Sequence, residues 1–71
     1  MTIEELRDLL QLATGKRYEH LASEQELMSL GLESIDRVRI VVRLEERIGK
    51  EIDEQRAMSL RTVGDLLALA S

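Results

Sequence analysis

Leu30-Gly31-Leu32-Glu33-Ser34-Ile35-Asp36-Arg37-Val38-Arg39-Ile40-Val41-Val42-Arg43-Leu44-Glu45-Glu46-Arg47-Ile48-Gly49 is the stretch that decides the fold. At about 100° per residue, Ile40, Val41, Leu44 and Ile48 share one arc, with Val38 flanking it. The pattern predicts an amphipathic helix from Ser34 to Ile48, stopped by Gly49 in the left-handed cap. Arg37 falls on the core arc in the first turn, where its long stem can carry the guanidinium past the core to water. Ile35 and Val42 lie on a second arc with Arg39 and Glu46. That arc is part apolar and bordered by charge, as a docking surface needs to be. Ser34 stands at the mouth of the helix, near unpaired backbone N–H groups and the positive end of the dipole. A covalently attached phosphate is well accommodated there.

Outward from this helix the chain reads as further helices. Thr2-Ile3-Glu4-Glu5 is a capping box, and Ile3, Leu6, Leu9, Leu10 and Ala13 recur at helical spacing up to Gly15. This predicts a first helix over residues 3–14. Residues 15–33 lack a long periodic pattern, which a compact domain does not readily leave structureless. Ser23-Glu24-Gln25-Glu26 offers a second capping box for a single helical turn carrying Leu27. Leu30 would pin the loop to the core, and Gly31 would supply the turn into the next helix. After Ile52, residues 53–59 are expected to form a short helix, with Ala57, Met58 and Leu60 near its end. Thr62 caps a last helix with Asp65 at its third position, burying Val63, Leu66, Leu67 and Ala70. No strand alternation is present. The expected fold is all-α: a small four-helix bundle, three longer helices plus one short, with a long loop between helices one and two.

Composition bounds the chemistry. The 71 residues are expected to form one domain, residues 1–71, with a small core. There is no cysteine and one histidine, so neither disulfides nor a sulfur-imidazole zinc site can staple it. Tyr18 is the only aromatic residue, and base stacking needs more. The formal charge of −4 also opposes binding to a phosphate backbone, so no nucleic-acid partner is expected. The charge is uneven: residues 34–48 carry a net +1 and the remainder −5. Met1-Thr2-Ile3-Glu4-Glu5 is acidic and lacks an apolar run, so neither a signal peptide nor a membrane span is expected. Cysteine-free sequence is compatible with a reducing cytoplasm, the expected location.

Leu30-Gly31-Leu32-Glu33-Ser34-Ile35 resembles the phosphopantetheine attachment site of acyl carrier proteins, which usually reads leucine-glycine-x-aspartate-serine-leucine or isoleucine. The resemblance continues through Leu44-Glu45-Glu46-Arg47-Ile48-Gly49-Lys50-Glu51-Ile52 and ends in Thr62-Val63-Gly64-Asp65-Leu66-Leu67. It implies that a phosphopantetheinyl transferase attaches 4′-phosphopantetheine to Ser34 from coenzyme A, with Glu33 and Asp36 recognised by that transferase. It implies a non-catalytic carrier, expected as a monomer. Acyl or aminoacyl cargo would be placed on it by a loading enzyme and passed to a downstream synthase or transferase. Ile35, Arg39, Val42, Arg43 and Glu46 would meet these partners. Glu33 departs from the pattern by one methylene and keeps the charge.

Other readings stand beside this one. Ser34 can be an ordinary N-cap, a position serine favours. It lacks the positioned base of a nucleophilic enzyme, because His20, the only histidine, lies in the long loop. Arg37, Arg39 and Arg43 interrupt the acidic helix of the fatty-acid carriers. The i,i+3 pairs Asp36–Arg39 and Arg43–Glu46 attract while Arg39–Arg43 and Arg43–Arg47 repel, each by only about 0.2–0.5 kcal/mol. Helix stability therefore does not account for the arginines, and a dedicated partner with an acidic complement does. The function read from the sequence is a carrier for a polyketide, nonribosomal peptide or other dedicated acyl pathway. The housekeeping fatty-acid carrier is the alternative within the class. A helical interaction module that has lost modification is the alternative outside it, and a helix-turn-helix DNA binder is a distant third.

Overall fold

In a computed structural model, which describes residues 1–70, four α-helices follow one another: α1 (Ile3–Thr14), α2 (Ser34–Ile48), α3 (Glu54–Met58) and α4 (Val63–Leu69). Among the described residues there is no strand, only a single antiparallel bridge between Glu26 and Thr62. Among the described residues no helix is long and apolar enough to cross a membrane. The helices start where local chemistry favours it. Thr2 Oγ1 accepts from the Glu5 N–H while Glu5 returns the bond to Thr2, and Thr62 and Asp65 repeat the exchange at α4.

Helices α1 and α2 form the antiparallel centre of the bundle. An Arg47–Glu5 ion pair at 2.9 Å closes one end and Lys16–Asp36 at 2.8 Å the other. Leu6, Leu10 and Ala13 of α1 meet Ile40 and Leu44 of α2, and Tyr18, Leu27, Leu60, Val63 and Leu66 complete the core. The Tyr18 hydroxyl is satisfied by Thr14 Oγ1 at 3.2 Å.

The connection over residues 15–33 is neither free nor structureless. A 3₁₀ turn over Leu27–Leu30 buries Leu27, and it begins after Glu26 without a side-chain cap, so the expected Ser23–Glu26 capping box does not form. Gln25 instead turns its amide oxygen to the Ala22 N–H at 2.8 Å. Backbone bonds then staple this segment to α4. Leu27 N–H donates to the Arg61 carbonyl, Val63 N–H to Gln25 and Gly64 N–H to Ser23. Two orphan donors of the first turn of α4, the Val63 and Gly64 N–H groups, are thus satisfied by the loop. Gly64 is required by the close approach, since a Cβ there would lie 3.0 Å from the Ser23 carbonyl oxygen. Gly31 is required for a different reason: it closes the 3₁₀ turn at φ 70°, a conformation side chains resist.

Two expectations are revised. The last helix is short, seven residues, so two long helices carry two short ones rather than three carrying one. Val38 does not flank the core, being 57% exposed. The reason is the five-residue length of α3, which buries none of its residues and leaves that side of α2 uncovered.

Candidate functional site

Ser34 is the first residue of α2, not its cap. The cap is Glu33, in extended conformation. Asp36 Oδ2 accepts from the Glu33 N–H at 3.0 Å, and the Asp36 and Arg37 N–H groups return to the Glu33 carbonyl. The N–H groups of Ser34 and Ile35 meet no protein acceptor among the described residues. Ser34 is exposed, so a group esterified to its oxygen would stand clear of the core and beside the donors of a fifteen-residue helix. The residues present therefore fit a phosphate-linked arm.

Asp36, expected from the sequence to meet the transferase, is turned inward. It is 2% exposed, and its carboxylate accepts from Lys16 Nζ at 2.8 Å as well as from the Glu33 N–H. Lys16 also donates to the Gly31 carbonyl at 2.7 Å, so one ammonium holds both sides of the turn that presents Ser34. Through these contacts Asp36 braces the turn that leads into Ser34. Burial of an aspartate is tolerated because every lone pair used here has a charged or N–H donor.

These contacts set a pH dependence. The hydrogen bond from Lys16, followed by that from Glu33, holds the Asp36 carboxyl below its ordinary 3.8. N–H donors of Arg61 and Thr62 lower Asp65 in the same way, and the Thr2 N–H and Arg47 lower Glu5. A carboxylate lowered in the folded state adds stability above its unfolded value and loses it as pH falls through the folded one. Lys16 is raised above 10.5 by its hydrogen bond to Asp36, so its contribution is complete below 10.5 and lost at higher pH. Thermal midpoints followed by circular dichroism should be flat between about pH 6 and 9 and fall below about pH 3.8. Asp36→Asn should lower the plateau and make the acid limb shallower, whereas an unchanged acid limb would show that the pair does not couple to folding.

Beside Ser34 an open groove of about 630 Å³ runs between α2 and α3. Val38, Val41, Val42, Ile52, Ala57 and Met58 give it an apolar lining, with Arg37 and Glu54 as its charged groups. On the other side of α2, Arg43, Glu46 and Arg47 face Glu5, Leu9 and Leu12 of α1 across a second groove of about 590 Å³. The ridge between them carries Ile35 and Arg39, both exposed. The expected partner residues thus lie along one face of α2, with Val42 on the apolar side and Arg43 and Glu46 on the charged side. Among the described residues the attractive pairs Asp36–Arg39 and Arg43–Glu46 do not close into ion pairs. Asp36 turns to Lys16, and Arg39 and Arg43 make no ion pair among the described residues.

Arg37 keeps its expected place and gains a contact. Half-buried on the wall of the open groove, it donates through Nη2 to the Leu60 carbonyl at 2.7 Å, tying α2 to the segment between α3 and α4. Sequence periodicity placed its stem on the core face and had no means of finding an acceptor so far along the chain.

The profile of the phosphopantetheine attachment site family matches residues 4–70. The chain is also similar to acyl carrier protein 3 of Ralstonia nicotianae, with 32% identity over 66 residues that cover 92% of this chain and 76% of the relative. The groove, the exposed serine at the head of a long helix and a match over nearly the whole sequence converge, and the chain belongs to the phosphopantetheine attachment site family, with a covalent 4′-phosphopantetheine as its prosthetic group.

Proposed function

We propose that Ser34 carries the arm and that the protein is a non-catalytic carrier of acyl or aminoacyl groups, in a polyketide, nonribosomal peptide or other dedicated acyl pathway. The observation that carries this reading is the exposed Ser34 hydroxyl at the first turn of α2, on the rim of the apolar groove. In the attachment step the Ser34 oxygen forms a bond to the β-phosphorus of coenzyme A. The bond to 3′,5′-adenosine diphosphate breaks, and the hydroxyl proton leaves to a base on the transferase. The arm supplies a terminal thiol on which cargo is held as a thioester.

The chain's own contribution is placement. Lys16 and Asp36 fix the turn before α2, and the helix N-terminus favours the negative phosphodiester. The working form is a cytoplasmic monomer that meets a phosphopantetheinyl transferase, a loading enzyme and a downstream synthase or transferase in turn. The test is the intact mass of the protein after incubation with coenzyme A and a broad-specificity transferase. A gain of one phosphopantetheinyl group, mapped to the peptide containing Ser34, supports the reading. An unmodified protein, with a known carrier modified in parallel, refutes it and favours an interaction module.

The free arginines favour a dedicated pathway over housekeeping fatty-acid synthesis. Arg39 and Arg43 are exposed and unpaired on the α2 face, so their charge is available to an acidic partner. Reversing both to Glu should slow association with the cognate enzyme by about tenfold or more at low salt, with the difference shrinking as ionic strength rises. Enzymes that expect an acidic helix should accept the reversed carrier better. Stopped-flow association at two salt concentrations reads both effects, and equal rates would make these residues a merely solvated face.

A further inference from the structure

Two cavities share a wall of three side chains. The outer groove beside Ser34 has a volume of about 630 Å³. Behind it, among Leu27, Ile40, Leu60 and Leu66, lies a void of about 10 Å³, space for no more than about one water. Arg37, Val41 and Ala57 line both, so they form the wall between groove and interior. Val41 and Ala57 are small and apolar and would part before a hydrocarbon chain at little cost. Arg37 would not. Its stem is half-buried in the wall, and its Nη2 is fastened to the Leu60 carbonyl at 2.7 Å on the far side.

We propose that Arg37 is a latch that shuts the interior of the bundle to the cargo and confines it to the open groove between α2 and α3. This rests on Ser34 bearing the arm. For a chain to enter the core, the guanidinium must leave its carbonyl, stranding a buried acceptor, or remain as a charge facing hydrocarbon. Either carries a desolvation cost that the gain from burying a few methylenes must exceed. The cargo class that follows is short or polar, since it is held against Val38, Val42 and Met58 with one side open to water. Arg37 is therefore a specificity-determining residue, acting by exclusion.

The test loads wild type and Arg37→Ala with arms ending in butyryl, octanoyl or dodecanoyl groups, with intact mass confirming each load. Methyl NMR then separates groove (Val38, Val42, Met58) from interior (Leu27, Ile40, Leu66). In wild type, shifts should stay in the groove and the thermal midpoint should vary by less than about 2 °C with chain length. In Arg37→Ala, octanoyl and dodecanoyl should move the interior methyls and raise the midpoint by several degrees. Arg37→Lys, which keeps a cation able to reach the carbonyl, should behave as wild type. If Arg37→Ala fails to fold, Arg37→Met keeps the stem and removes only the charge and donor, with the same expected outcome.

Interior shifts in loaded wild type, or variants as insensitive to chain length as wild type, overturn the latch and leave the carrier reading intact. An arm that never attaches to Ser34 overturns the carrier reading, and the latch with it.

Discussion

Ser34→Ala is expected to abolish attachment of the arm completely, so that no modified protein is seen by intact mass after prolonged exposure to transferase and coenzyme A. The fold should be unaffected. The reason lies in a one-residue distinction: the cap of α2 is Glu33, and Ser34 is the first helical residue. Replacing a capping serine by alanine costs about 1 kcal/mol, whereas an exposed first-turn position tolerates the change within about 0.5 kcal/mol. Alanine there deletes the nucleophilic oxygen and little else. Identical urea-unfolding midpoints with no mass gain would isolate the chemistry from the structure. Modification that persists in the variant would place the arm on another residue.

The second large effect is on stability. Leu44→Ala removes a side chain that is fully buried between α1 and α2. Substitutions of this kind cost about 2–5 kcal/mol, combining the lost transfer energy with the cavity left behind. A chain of 71 residues at the usual stability per residue has roughly 4–11 kcal/mol in total. The variant should therefore lose a large share of its stability and show a much lower urea midpoint with an unchanged slope. Val42→Ala, two residues earlier but 48% exposed, should shift the midpoint little and weaken partner binding instead. If the two variants unfold alike, the assignment of the two faces of α2 is wrong.

What could be read from the sequence follows from how far each residue's partner lies along the chain. The starts of α1 and α4 were legible because Thr2 with Glu5, and Thr62 with Asp65, exchange bonds within three residues. The buried stripe of α2 was only partly legible. Ile40 and Leu44 announced themselves, but Asp36, four residues before Ile40, was read for transferase recognition although it shares their face. Its partner Lys16 lies twenty positions upstream. The i,i+4 spacing of Asp36, Ile40 and Leu44 was the signal that could have found it.

Val38 was misplaced and the acceptor of Arg37 was missed for the same kind of reason. One is left bare by the shortness of α3, and the other finds its partner at Leu60. Neither fact is local. The serine of the candidate site stood out in the sequence, and the groove beside it did not, because a groove is made of what two helices fail to cover.

The backbone bonds that join residues 23–27 to residues 61–64 have a kinetic meaning as well. The Leu27, Val63 and Gly64 amides cannot be released one at a time, because detaching the loop from α4 breaks all three links together. Their hydrogens should exchange with solvent at a shared rate set by one opening event, although they are far apart in sequence. The turn that presents Ser34 follows directly from this loop through Leu30 and Gly31. Its steadiness is therefore borrowed from the far end of the chain, and loosening α4 would blur the aim of Ser34.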